Sequence, residues 1–203
     1  MPDTSQLHLQ DDLTLLSNFF KGDCDAFTLI YTKYANDLMA YGTGWGIDHE
    51  TLKDAIQDVF YKLYTNRKSF EHAKNLKFYL IRSLKNRILD LRKASIETVN
   101  IDDIEFTIQP MITDAILEDE DRKTIEEQIE TYLNLLTSRQ REAIYLRYID
   151  GMDYEEIALL LDMTAPAVRK LVCRGIARLR TESLNYLPLY LLLIGLGSAV
   201  KPS

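Results

Sequence analysis

Residues 136–180 read LTSRQREAIYLRYIDGMDYEEIALLLDMTAPAVRKLVCRGIARLR, and their capping and turn residues divide them into three helices. Thr137 or Ser138 can cap the first, whose Ala143, Ile144, Leu146 and Tyr148 face inward. Gly151 allows a turn with positive φ. Tyr154, Ile157, Ala158 and Leu161 line the inner face of a second helix, with Ala158 where two backbones approach closely enough to require a small side chain. Asp162, Met163 and Thr164 then make a turn. Thr164 is a candidate N-cap, and Pro166 falls in the first helical turn, where a missing amide donor costs nothing. Val168, Leu171, Val172 and Ile176 pack inward from the third helix, leaving Arg169, Lys170 and Arg174 to project outward. A tight turn between two short helices, with bases on the second, is the layout of a DNA-reading helix-turn-helix.

The same three-and-four recurrence runs through most of the chain. With only 8 glycines and 5 prolines in 203 residues, the fold class is all-α, and the length suffices for two small helical domains. Leu13, Leu16, Phe19 and Phe20 begin one stripe. Asp23 or Asp25 can cap a helix burying Phe27, Ile30, Tyr31, Tyr34, Leu38 and Tyr41. Gly42, Gly44 and Gly46 break the pattern as a loop, without the preceding strand or the spacing of a phosphate cradle. Asp48 restarts a helix with Leu52, Ala55, Ile56, Val59, Phe60 and Leu63 inside. After a loop over 66–75, Phe78, Leu80, Ile81, Leu84, Ile88, Leu89 and Leu91 mark another helix. The domains predicted are 1–94, an acidic linker over 95–121, a second domain of winged-helix-like helix-turn-helix type over 122–186, and an apolar tail over 187–203.

A net charge of −7 argues against a nucleic-acid binder only until its distribution is seen. Lys74 to Lys93 holds seven bases and one acid; Glu97 to Asp121 holds nine acids and no base; Ala165 to Arg180 holds five bases and no acid. Two basic islands flank an acidic strap, whose isolated apolar residues Ile104, Phe106 and Ile108 are more than a floppy tether needs. The apolar run from Leu187 to Leu196 is about half a bilayer span, and the N-terminus has no signal-peptide pattern, so membrane insertion is not expected and the protein is placed in the cytoplasm. The tail's apolar residues are expected to find a groove on the chain or on a partner. Cys24 and Cys173 form no spaced motif, and His8, His49 and His72 are scattered, so neither a metal site nor a cofactor is expected. No catalytic constellation is present, and the chain is read as a non-enzyme.

The segment from Leu136 to Arg180 resembles the fourth region of extracytoplasmic-function (ECF) sigma factors, in its RQRE start, its EEIA helix and its arginine-rich last helix. Leu171 and Cys173 depart from that pattern, which usually has polar or aromatic residues there. Upstream, the run from Asp54 to Tyr64, DAIQDVFYKLY, resembles the family's second-region helix that grips the β′ clamp coiled coil of core RNA polymerase. The resemblance implies polymerase contact through Asp54, Gln57, Asp58 and Tyr61. The run from Phe78 to Arg92 resembles the helix that meets the melted minus-ten element, implying roles for Phe78, Tyr79, Arg82, Lys85, Asn86 and Arg87. The residue types suit single-stranded DNA, which is held by bases along its backbone and by flat side chains against unstacked rings. Tyr79 is the first choice of stacking group, with Phe78 as the wedge if Tyr79 is inside. Thr164, Arg169, Lys170 and Arg174 would meet the minus-thirty-five element. Implied partners are core RNA polymerase, promoter DNA and an anti-sigma factor; the rival reading is a free-standing repressor or activator using the helix-turn-helix alone.

Overall fold

The computed structural model describes residues 12, 14–66, 75–95, 105–108 and 119–182. The tail, most of the strap and most of the 66–75 loop lie outside them. The chain divides into two compact units, Met1–Asp103 and Ile104–Ser203.

The first unit is built on α1 (Cys24–Thr43), α2 (His49–Thr65) and α3 (Leu76–Ser95), each packed on the other two. Asp23 caps α1, its carboxylate accepting the amides of Asp25 at 2.9 Å and Ala26 at 3.3 Å. Asp48 caps α2 through the Thr51 amide at 3.0 Å. Asn75, at the end of the expected 66–75 loop, caps α3 by accepting the Phe78 amide at 3.2 Å. Ile30, Leu38, Tyr41, Leu52, Leu63, Leu80, Ile81, Leu84 and Ile88 are sealed from water. Tyr31, expected in that core, is 41% exposed and lies with its ring 4.7 Å from Phe60 at the rim.

Gly42 does not open a loop. It is buried inside α1, where an added Cβ would stand 2.3 Å from Leu52 Cδ1, so the glycine lets α1 and α2 come together. The helix ends at Thr43 with Gly44 as its cap, and the turn that follows uses Gly46, whose φ of +63° is readily adopted only by glycine.

The second unit comprises α4 (Asp119–Asn134), α5 (Ser138–Tyr148), α6 (Tyr154–Leu161) and α7 (Ala165–Glu182). The first of these starts three residues before the expected 122. The last packs on the other three. Thr137 caps α5 in a reciprocal box with Gln140, and Asp153 caps α6 in a box with Glu156. Gly151 turns with φ +70°, and Asp162 ends α6 in the left-handed region at φ +51°. Val168 and Val172 are buried from α7, Ala158 from α6 at the crossing. Gly175, unremarked in the sequence, completes the packing: an added Cβ would lie 2.8 Å from Ile144 Cδ1, so its absence lets α7 close on α5. All described elements are helices, so the second unit is a helix-turn-helix without a wing among the described residues.

The strap is not a plain linker. Phe106 is fully buried in the second unit, its ring edge-on to Tyr145 at 5.5 Å and its amide donating to Ser138 Oγ at 2.7 Å. Beside it, the buried Arg141 donates to Glu105 at 3.4 Å, to Asn134 Oδ1 at 3.2 Å and to the Leu133 carbonyl at 3.4 Å. The RQRE motif is thereby explained: Gln140 closes the cap, and Arg141 ties the end of α4 to the strap.

Candidate nucleic-acid interface

On α2, Asp54, Gln57 and Tyr61 are exposed and Asp58 half-buried, while Ile56, Val59, Phe60 and Leu63 point inward. The helical repeat thus gathers the four polar-face residues on one side. Tyr61 is 67% exposed, an unusual cost for so large a ring.

The basic helix α3 divides its charges. Phe78 is only 5% exposed, which corrects its expected place as a base wedge: its ring is spent on the core and on an edge-to-face contact with Tyr79 at 5.3 Å. Tyr79 is half-buried, and Arg82 and Asn86 are exposed; spacings of three and four put these three on one face. Arg82 lies 6.0 Å from the Phe78 ring, and Lys85 5.4 Å from the Trp45 ring. Other bases are turned inward. Lys77 pairs with Asp37 at 2.9 Å, Arg87 pairs with Asp58 at 2.7 Å, and Arg92 donates to the Trp45 carbonyl, with burial lowering its pKa. Counting bases along the sequence could not separate those that tie α3 to α1 and α2 from those left for a ligand.

On the second unit, the Thr164 hydroxyl accepts the Ala167 amide at 3.4 Å and so starts α7. Arg169 and Lys170 are exposed on the first half of α7, the part of such a helix that reaches base edges, and Arg174 is exposed at its middle. Cys173 is exposed and Leu171 half-buried. Sequence reasoning missed Tyr154, at the start of α6: its ring lies 5.0 Å from the Arg169 guanidinium and 4.8 Å from that of Arg147. Arg147 in turn donates to the Met152 carbonyl at 2.8 Å. Aromatic residues at helical spacing read as core, and only a third helix in place reveals the charge above this one.

Both cysteines are free and exposed. Among the described residues no cluster of three or more His, Cys, Asp or Glu is placed to hold a metal ion, and no helix is long and apolar enough to cross a membrane.

Comparison with known families places each unit. The sigma-70 region 2 profile matches residues 30–95, within the first unit, and the sigma-70 region 4 profile matches residues 126–179, within the second. The chain belongs to the sigma-70 family. Its relatives place it in the ECF branch. It is 25% identical over 152 residues to the ECF RNA polymerase sigma factor SigM of Bacillus subtilis, covering 74% of this chain and 91% of that protein. It is 26% identical over 176 residues to the ECF RNA polymerase sigma-E factor of Escherichia coli K12, covering 81% and 90%. Among solved structures, it resembles the sigma factor RpoE of Bartonella quintana, crystallised with the anti-sigma factor NepR, at a TM-score of 0.55 and 26% identity over 78% of this chain and 98% of that one. CnrH, solved with the cytosolic domain of CnrY, shares the fold at a TM-score of 0.57 and 21% identity, covering 84% and 95%. As a sigma factor of this branch, the chain directs transcription initiation at promoters.

Proposed function

We propose that this sigma factor is a non-catalytic, cytoplasmic subunit whose first domain, 1–94, grips core RNA polymerase and the minus-ten element, and whose second, 122–186, reads the minus-thirty-five element. One observation carries the reading: the two family matches fall one on each unit, and each coincides with an exposed face of the required chemistry. On α2 that face is Asp54, Gln57, Asp58 and Tyr61, which meets the β′ clamp coiled coil. On α3 it is Tyr79, Arg82 and Asn86, with Lys85 at its edge, offering the stacking, cationic and amide groups that hold an opened strand. On α7 it is Arg169, Lys170 and Arg174, with Thr164 at the helix start near the phosphates. Arg87 reaches DNA only by leaving Asp58. An anti-sigma factor is a further partner, supported by the Bartonella quintana relative crystallised with one.

Affinity capture with core polymerase tests the assignment of α2. The chain should retain core enzyme, and Asp54→Arg combined with Gln57→Ala should abolish retention while leaving the helical circular-dichroism signal unchanged. Equal retention by the variant would remove α2 from the interface.

A further inference from the structure

We propose that Tyr154 is a positioning residue for promoter recognition: its ring holds the Arg169 guanidinium in the orientation that reads the upstream element. The inference rests on the reading of α7 given above.

Arg169 is the fifth residue of α7, in the stretch of a recognition helix that meets base edges. A bare arginine there is a poor reader, because a bidentate contact to a base fixes a side chain with four rotatable bonds and a large rotamer entropy. Here the side chain is not bare. Its guanidinium stands 5.0 Å from the centre of the Tyr154 ring, within the range where a cation is attracted to an aromatic face.

The ring is itself fixed from below. Tyr154 is the first residue of α6, directly after the Asp153 cap, whose side chain accepts the Glu156 amide at 2.7 Å while Glu156 accepts the Asp153 amide at 3.1 Å. The turn before it is pinned by the Met152 amide on the Leu146 carbonyl at 2.9 Å. Arg147 of α5 adds a third support, 4.8 Å from the same ring and bonded to the Met152 carbonyl at 2.8 Å. One half-buried ring therefore joins the ends of α5 and α6 to a base-reading side chain on α7. Its contribution is pre-organisation: less ordering remains when DNA binds.

The test uses holoenzyme reconstituted from core polymerase, on a promoter found by run-off transcription and on its single-base variants through the upstream element. The readout is the discrimination ratio at the position where Arg169→Ala has its largest effect. Tyr154→Phe keeps the ring and should keep the ratio. Tyr154→Leu keeps apolar bulk without the ring and should lower the ratio about fivefold, the scale of a cation–π contact. In an Arg169→Ala background, Tyr154→Leu should change the ratio no further. A Tyr154→Leu variant that discriminates like the parent, or that loses as much with Arg169 absent as with it present, would overturn the proposal and leave the reading of α7 intact. An Arg169→Ala variant with unchanged ratios at every position would overturn that reading, and the positioning role with it.

Discussion

Arg87 Nη2 lies 2.7 Å from Asp58 Oδ2, joining the helix assigned to polymerase with the helix assigned to opened DNA. Both side chains are partly exposed, at 36% and 46%, so the pair itself contributes no more than about 1 kcal/mol to stability. While Asp58 holds Arg87, neither charge is fully offered outward; under the proposed assignment, polymerase binding at Asp58 would free Arg87 for the opened strand.

A charge exchange separates stability from function here. Asp58→Arg with Arg87→Asp should rebuild the pair and keep thermal unfolding within about 4–8 °C of the parent, the shift that 1 kcal/mol brings to a domain of this size. The same double variant should lose affinity for core enzyme, because polymerase would meet a base where it needs an acid. Undiminished affinity, measured by competition against the parent chain, would show that Asp58 serves only the fold.

Asn86 is exposed on the same face as Tyr79 and Arg82. Asn86→Ala should leave holoenzyme assembly and closed-complex binding unchanged while reducing permanganate reactivity of thymines in the minus-ten region. Normal reactivity would take Asn86 out of strand opening.

Much of this architecture was legible in the sequence because helices announce themselves by spacing. Asp48 and Thr164 could be placed as caps from their position before an apolar stripe, and the alternatives Asp23 or Asp25 and Thr137 or Ser138 resolve to Asp23 and Thr137 in the structure. What escaped depended on distant parts of the chain. Gly42 was read as a breaker because glycine is a poor helix former, yet it lies within α1 for the sake of Leu52, ten residues away. Phe78 was offered to DNA on a family resemblance, whereas the packing of α3 takes it inside. The destination of Arg87, the seat of Phe106 and the charge above Tyr154 all require two elements to be in place first.

The strap's anchorage gives a separate prediction. Phe106→Ala removes a fully buried ring from the second unit and should cost about 3 kcal/mol of its stability, the lower end for such truncations. Urea denaturation of the second unit, residues 104–203 followed by circular dichroism within the full chain, measures it; a loss below about 1 kcal/mol would mean that the strap rests on the unit without holding it.

For the upstream element, Arg169→Ala and Lys170→Ala should each weaken holoenzyme binding by about 1 to 3 kcal/mol where the contact is to a base, and uniformly across sequences where it is to phosphate. A DNase footprint over the upstream duplex should vanish in the double variant. Its persistence would show that α7 is not the recognition helix.

Transcription itself tests the central claim most directly. Core RNA polymerase supplemented with this chain should produce run-off transcripts from new start sites on genomic DNA, and substituting Asp54→Arg with Gln57→Ala should remove them; core enzyme that starts at the same positions with and without the chain would contradict the account.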